Sequence, residues 1–536
     1  MIKRFIVRAH LWNNRKRNTF SFIFVFVLCT LVDQGLKLMA PNLFIDYSDP
    51  SFLDYSPELW VGLIALVLGT LIIVISIASQ STPKLISFFI GDYLSLMYSW
   101  ALVYGLIHSF YSTAYHRDVV FTRLDSLHIN VLIFLPLAAL AAFPYILYIL
   151  NFTKKSRIIR ILTSSNERII RELGKSTRNI TQKSASKIHR NLFRGLNSLD
   201  DLFEYVGFKE PRSEIFNSFS ILLTNYIRVK KQLPTAVFSP TPEMRKDISF
   251  RSLDEELISI QQSKTFYEFK TLQILSDIYL RLIKHDEYQL ASQCGKEISD
   301  CGKFAVESDE ESSLDIFFVT LNTLIRFSLK HGVRTGEVRN TYNLLFHYSE
   351  FVLALIHSRK TKHLENQSRH LCYYASEIVR FVPQAPAFTF LVDIVYLEFN
   401  KIIQSVCEAE FDGDTHMFVL EQYLCIGPSA NMFRDQPDLT LQMINSNCLL
   451  KLNLSLYYLH IDQGIYADMI LTDIRVDYKK AGFENTKEQL LSSCDRIEQT
   501  TQYFWESTDR GNQNIYYSPY KDKLNELREL IVNHPS

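Results

Sequence analysis

Four long apolar stretches constrain this chain more than any other feature of its sequence. They cover residues 19–36, 59–80, about 88–111 and 129–150. The second and fourth are 22 residues long. A helix of that length spans about 33 Å, which suits a hydrocarbon core of about 30 Å. Four such stretches in succession are rare in soluble proteins, so the sequence predicts a transmembrane unit of four helices over residues 19–153.

Charged side chains are distributed in blocks, although the 57 basic and 57 acidic residues cancel overall. Residues 1–18 carry six Lys or Arg and no acid, and residues 154–194 carry twelve basic residues against two Glu. The loop at 40–58 has four acidic residues and no basic one. By the positive-inside rule, the basic N-terminus (1–18) and everything after the fourth span are predicted to be cytoplasmic.

Ionisable residues inside or beside the spans are the first candidates for function. Asp92 fits either a carboxylate on an ion pathway or the end of a helix lying along the inner interface. His108 is either a pH-sensitive group or a histidine at the level of the lipid headgroups. Asp33 and Lys37, four residues apart, are predicted to pair at the outer interface.

Two prolines, Pro136 and Pro144, lie eight residues apart in the fourth span. Proline removes a backbone donor and bends a helix, and such bends sometimes act as hinges. With Asp92 and His108 they form the set of candidate pore or switch residues.

Residues 154–212 read as a basic helical neck that continues from the fourth span. Near a bilayer, each Lys or Arg is attracted to anionic lipid by about 1 kcal/mol. The sequence therefore predicts lipid binding at Lys154, Lys155, Arg157 and Arg160. Nucleic-acid binding is not expected, because the neck lacks interleaved aromatic residues and a recognisable reading module.

Residues 213–536 show apolar residues at helical spacing throughout. Helices are predicted at 264–284, 313–330, 340–357 and 442–461. Short polar loops between them favour antiparallel helix pairs, so the predicted fold class is all-α, with a cytoplasmic solenoid-like domain or irregular bundle. No repeat is regular enough to give a period.

Chemical motifs are missing from the whole sequence. The eight cysteines form no CxxC, and there is no GxSxG, HExxH or helix-opening GxGxxG. Glu408, Glu410 and Asp412 precede Gly413 as in a calcium loop, but the closing carboxylate is replaced by Val419, so a loop between helices is predicted. We expect no metal or cofactor and no enzymatic activity.

The order of these segments resembles a family of predicted bacterial membrane proteins of unknown function. The resemblance lies in Trp12 before the first span, Leu31-Val32-Asp33-Gln34 at its end, and Ser79-Gln80-Ser81-Thr82-Pro83-Lys84-Leu85 after the second. It covers about the first 170 residues. Farther on, Asp277–Cys294 is similar to the family's cytoplasmic motif but lacks its Asn-Asp-Pro. The resemblance implies a multi-pass protein of the bacterial inner membrane, and no activity.

Three functions are compatible with these features. The first is a non-enzymatic membrane protein whose cytoplasmic helical domain senses or binds a partner protein. The second is an oligomeric channel or transporter with a pore between spans three and four, and the third is a cytoplasmic hydrolase without a recognisable motif. Homo-oligomerisation or a protein partner is expected, together with anionic lipid at the neck.

Overall fold

The described part of the chain forms two compact units of α-helices. The computed structural model describes residues 14–39, 55–81, 93–116, 124–152, 154–175, 182–251, 253, 255–428, 432, 435–508 and 511–533. The N-terminal unit contains the described residues up to Leu162 together with Asp201–Pro211. The body contains Thr163–Asp200 and the described residues from Arg212 onward. Residues of the predicted neck are divided between the two units.

The N-terminal unit is built from long apolar helices. These are α1 (Asn14–Met39), α2 (Ser56–Ser81), α3 (Tyr93–His116), the short α4 (Leu124–Ile129) and α5 (Leu135–Phe152), with a π-helical turn at Asn130–Phe134 between the last two. Among the described residues, three segments are long and apolar enough to cross a membrane, namely Asn18–Leu36, Ser56–Ile73 and Ser126–Leu150. Helix α3 lies in the predicted third span but is not among them, because it carries many hydroxyl-bearing side chains.

In the N-terminal unit many apolar side chains are exposed and several polar ones are buried, which is the reverse of a soluble protein. In the three apolar segments only 17, 22 and 17% of the residues are buried. Leu140 on α5 is 76% exposed, and Phe143 and Leu137 are also exposed. By contrast Asp33 is 3% exposed and Asn130 is fully buried. Apolar side chains outside and polar ones inside are typical of a unit surrounded by lipid.

Three amphipathic helices follow. They are α6 (Lys155–Gly174), α7 (Gln182–Tyr205) and α8 (Lys209–Lys230). Helix α6 carries the chain from one unit into the other. It begins at Lys155, whose predecessor Lys154 accepts hydrogen bonds from the N–H groups of Arg157 and Ile158, whereas α5 ends at Phe152. The fourth span and the neck are therefore separate helices, while the sequence pattern predicts one continuous stalk.

The body continues as a stack of antiparallel helix pairs. After a 3₁₀ turn at Thr235–Phe238 and two short helices, α9 (Pro242–Lys246) and α10 (Glu256–Ser263), eight helices form the stack. These are α11 (Phe266–Lys284), α12 (Tyr288–Glu307), α13 (Glu311–Thr335), α14 (Arg339–His357), α15 (Thr361–Phe381), α16 (Phe388–Glu408), α17 (Gly413–Leu424) and α18 (Pro437–His460).

Successive helices from α11 to α17 pack against each other. Every helix of the stack also packs against the next but one. Helices α12, α14, α16 and α18 contact one another in sequence and form one layer, and α11, α13, α15 and α17 form the other. This two-layer arrangement is that of a solenoid. The all-α, solenoid-like fold predicted from the sequence is confirmed.

One type of turn recurs between the helices of the body. Asp286, Asp309, Arg359, Glu410 and Asp462 all have positive φ, between 51° and 59°. In each case this residue's N–H donates three residues back, and the next N–H donates five residues back, as from Glu287 to Leu282. This is the Schellman pattern, which usually places glycine at the left-handed position. A non-glycine residue in this conformation costs about 1 kcal/mol. Because these turns use Asp, Arg or Glu, a sequence search for glycine does not find the repeated turn.

The C-terminal part of the body closes over the stack. Helix α19 (Gly464–Lys480) packs on α18, and so do α20 (Thr486–Gln499) and α21 (Leu524–Asn533). Strands β1 (Tyr503–Thr508) and β2 (Gly511–Gln513) pair antiparallel, with Tyr503 opposite Gln513 and Thr508 opposite Gly511. A 3₁₀ turn at Lys521–Lys523 precedes α21. With helices on several sides, α18 is buried along almost its whole length.

Candidate functional site

The N-terminal unit contains a connected set of buried and half-buried polar side chains from α1, α2, α3, α4 and the π turn. Its members are Asp33 on α1, Trp60 on α2, His108 on α3, Ser126 on α4 and Asn130 at the start of the π turn. We call this set the polar cluster. Polar residues buried among apolar helices are costly unless they are hydrogen-bonded, so their contacts indicate what the cluster does.

Asn130 is the centre of the polar cluster. Its Oδ1 accepts a hydrogen bond from the Trp60 indole N–H at 2.6 Å. Its Nδ2 donates to the carbonyl oxygen of Gly105 at 3.1 Å and lies 2.9 Å from His108 Nδ1. The fully buried amide therefore joins α2, α3 and the π turn.

Gly105 permits the close approach of Trp60. A Cβ placed on this glycine would lie 2.3 Å from the indole ring, a distance that real side chains do not tolerate. The missing side chain lets the indole lie directly on the backbone of α3, where its N–H reaches Asn130.

The hydroxyl groups of Ser56 and Ser109 also form a buried hydrogen bond between α2 and α3.

His108 lies between Asn130 and the carboxylate of Asp33. Its Nε2 is 3.9 Å from Asp33 Oδ2, too far for a direct hydrogen bond but close enough for an electrostatic interaction. Ser126 Oγ donates to the same Asp33 oxygen at 3.3 Å. The ring of Tyr104 stacks on His108 with centroids 5.5 Å apart. Asp33 is thus buried against α3 and α4. Its pairing with Lys37 at the outer interface stays a prediction, because the side chain of Lys37 lies outside the described residues.

The π turn follows from Pro136. A proline has no N–H to donate four residues back, and its ring clashes with the carbonyl there, so the preceding turn widens. Leu135 accordingly donates to the carbonyl oxygen of Asn130, five residues earlier. Asn130 is thus attached to a turn that departs from regular helix, a geometry often found at functional sites.

The candidate pore or switch residues fall in different places. Asp92 lies outside the described residues. His108 is a member of the polar cluster, Pro136 lies just after the π turn, and both Pro136 and Pro144 are exposed on α5. Sequence reasoning missed Trp60 and Asn130, although a lone asparagine within an apolar span was the available signal.

The four basic residues predicted to bind lipid lie at the start of α6. Lys155 donates to the carbonyl oxygen of Tyr205 at 3.0 Å and lies over the ring of Phe208. Arg157 lies 5.4 Å from the centre of the Tyr148 ring. Lys154 and Arg160 are exposed. Lipid binding at these four positions stays a prediction.

Three lysines are buried among the residues of the body that the structure describes, and each is paired with an acidic side chain. Lys230 lies 2.7 Å from Glu268 and 3.2 Å from Glu310. Lys270 lies 2.6 Å from Asp247, and burial lowers the pKa of Lys270 even so. These pairs join distant helices.

The third buried lysine, Lys451 on α18, reaches two carboxylates of α19. It lies 2.7 Å from Asp473 and 3.0 Å from Asp477. Breaking a buried pair leaves an uncompensated charge, so all three lysines have a structural role in packing.

The described residues include the sequence that resembles a calcium loop, from Glu408 to Gly413. Within them no group of three or more His, Cys, Asp or Glu side chains could hold a metal ion. The predicted loop between helices is confirmed: it covers residues 409–412, and Asp412 caps α17. Its Oδ1 accepts from the Thr415 N–H at 2.8 Å, and its Oδ2 accepts from the Thr415 hydroxyl at 3.0 Å. Both carboxylate oxygens therefore serve the helix N-terminus.

Comparison with known proteins gives a fold likeness and no family. No family model matches the chain, and no curated protein matches it. One solved structure, described as a "Circular tandem repeat protein with novel repeat topology and enhanced subunit contact surfaces", aligns with 87% of this chain and 96% of that chain. Its sequence identity is 14% and its TM-score is 0.38. At these values the likeness carries no information on function.

Proposed function

We propose that this chain is a multi-span protein of the bacterial inner membrane whose helical body binds a partner protein in the cytoplasm, without catalysing a reaction. The observation that carries the proposal is the reversed polarity of the N-terminal unit. Exposed leucine and phenylalanine side chains on α5 are costly in water and favourable in lipid. Polar side chains of a membrane unit face its interior, as Asp33 and Asn130 do. The basic blocks at 1–18 and 154–194 favour a cytoplasmic body.

The body supports partner binding through its architecture and its charge. Stacked helix pairs create the extended surfaces that solenoid proteins use for binding. Residues 195–536 carry a net charge of −12, which complements a partner with a basic surface. The buried lysines and their carboxylates are occupied in joining helices, so a catalytic use of them is not favoured.

Cys425 tests the proposed topology. Among the described cysteines it is the exposed one, at the end of α17. We expect a membrane-impermeant maleimide to leave Cys425 unlabelled in intact cells and to label it once the inner membrane is permeabilised. A Cys425→Ser variant identifies the signal. Equal labelling before and after permeabilisation would place the body outside and contradict the proposal.

Partner capture tests the proposed activity. The full-length protein, solubilised from membranes with mild detergent, is expected to retain a specific protein with a basic surface. Because exposed charges are screened beyond about 10 Å at 0.1 M salt and about 3 Å at 1 M, retention should weaken as salt is raised between those values. An unrelated multi-span protein with the same tag is the control bait. Recovery of the same proteins on both baits, or retention independent of salt, would refute the proposal.

A further inference from the structure

The orientation of the Asn130 amide determines where the proton of His108 lies. The two partners of Asn130 each have one hydrogen-bonding role: the Trp60 indole N–H is a donor, and the Gly105 carbonyl is an acceptor. Turning the amide by 180° would set donor against donor and acceptor against acceptor. The amide nitrogen must therefore point to Gly105 and to His108.

His108 Nδ1 consequently faces an N–H group at 2.9 Å. It accepts this hydrogen bond with its lone pair, so in the neutral ring the proton is on Nε2. That nitrogen is the one directed toward Asp33, at 3.9 Å. The result is a chain of donors. Trp60 donates to Asn130, Asn130 donates to His108, and the Nε2–H of His108 is directed toward the carboxylate of Asp33.

A second proton on His108 does not fit this arrangement. It would have to sit on Nδ1, where it would meet the N–H of Asn130 at hydrogen-bond distance. Asn130 cannot turn to accept it without losing both Trp60 and Gly105. The charged ring is attracted by Asp33, so protonation and the present packing oppose each other.

We propose that the polar cluster is a proton-operated switch. Neutral His108 holds Asn130 in place, whereas protonated His108 pairs with Asp33 and releases Asn130, and with it the π turn before Pro136. The π turn is the weak point of the helix, because Pro136 already lacks a backbone donor. The switch lies within the N-terminal unit and does not depend on the proposed partner.

Other titratable groups lie on the same helix as His108 or on helices that pack against it. Tyr104 stacks on the ring from its own helix. The elements packed around the ring also carry Asp33 and Cys29 on α1, Glu58 on α2 and His128 on α4. The readout must therefore identify His108 itself.

Nitrogen-15 NMR of the imidazole rings in the full-length protein, reconstituted in bilayers, reads the tautomer directly. His108→Gln identifies the signals of His108. We expect a neutral ring protonated on Nε2 at pH 8. An Nδ1-protonated neutral ring would overturn the proposal.

Two variants test the chain of donors. Asn130→Asp places an acceptor opposite Nδ1, so His108 should hold both protons at a pH where the wild type holds one. Trp60→Phe removes one of the two groups that orient the amide and leaves the Gly105 carbonyl, so the Nδ1-protonated neutral ring should become detectable beside the Nε2-protonated one. Trp100→Phe is the matched control, since Trp100 also donates to an asparagine oxygen, that of Asn18 at 2.9 Å, but at an exposed position. If either test variant gave the wild-type tautomer, the donor chain would be refuted.

Hydrogen exchange tests the coupling to the backbone. On acidification, the backbone amides of residues 131–135 in the wild type should exchange about tenfold faster than the intrinsic effect of pH alone predicts. The factor corresponds to the loss of one buried hydrogen bond. Asn130→Asp should show this faster exchange already at neutral pH. The acid response of the wild type needs no variant, so a poorly folding Asn130→Asp would leave the test intact. Protonation of His108 without faster exchange would show that no switch exists.

Discussion

Replacing Lys451 with methionine is expected to destabilise the C-terminal part of the body by about 3–5 kcal/mol. The lysine is buried beside Asp473 and Asp477, and its loss leaves two largely buried acids without their cation. Burial alone would lower the pKa of Lys451, but Tyr396, Asp477 and Asp473 raise it well above its usual range, so the side chain is charged. Methionine fills a similar volume, and the effect is therefore one of charge.

Buried cysteines report this change in the full-length protein. Cys448 lies one turn before Lys451, and Cys494 is buried on α20. Their reaction with a thiol reagent should accelerate roughly a hundredfold to several thousandfold, because labelling requires opening of the structure. Cys294 and Cys301, buried on α12 at the other end of the stack, should respond much less.

Lys480 provides the matched control for Lys451. It lies 3.8 Å from the same Asp477 but is 57% exposed. An exposed pair contributes about 0–1 kcal/mol, so Lys480→Met should leave the labelling of Cys448 nearly unchanged. Adding Asp473→Asn and Asp477→Asn to Lys451→Met should recover much of the lost stability. If Lys451→Met and Lys480→Met behaved alike, the structural role assigned to the buried lysine would be wrong.

The second large effect is expected at Asp393, where Asp393→Asn should stabilise the body at pH 8 by about 2 kcal/mol. Burial raises the pKa of Asp393 to about 6, although the hydroxyl groups of Ser446 and Tyr516 donate to the carboxylate and partly lower it. The unfolded chain has a value near 3.8. Above pH 6 the folded state therefore holds a buried charge that the unfolded state carries at lower cost.

The sign of the pH dependence follows from this raised pKa. The wild type should gain stability as the pH falls from about 7 through 6 toward 4, whereas Asp393→Asn should lack this gain. Hydrogen exchange of residues 514–520, which carry Tyr516, measures the difference between the two proteins at each pH. Asp495→Asn, at an exposed carboxylate, is the control. A constant difference between wild type and Asp393→Asn from pH 4 to 8 would contradict the assignment.

Long helices of the body were predictable from the sequence because one apolar face repeats over many turns. The predicted helices at 264–284 and 340–357 correspond to Phe266–Lys284 and Arg339–His357 in the structure. Their regular pairing was not predictable. It depends on turns that use Asp, Glu or Arg in a left-handed conformation, where a sequence pattern looks for glycine.

The polar cluster shows where sequence reasoning ends. His108 could be singled out because an ionisable residue in an apolar segment is unusual. Its partners could not, since Asn130 and Trp60 belong to other helices and reach His108 only through packing. The burial of Asp33 was not predictable for the same reason, because which face of α1 meets α3 and α4 is a property of the assembled helices.

The recurring left-handed turn also bears on how a body of this kind changes in length. Each of these turns is closed by main-chain groups, whatever its side chains, as at Asp286, Arg359 and Glu410. Since each described helix pair of the stack packs mainly on the pair before it and the pair after it, an inserted or deleted pair meets the same kind of contact on both sides. Gene duplication within the stack can therefore lengthen the molecule without redesign of its ends.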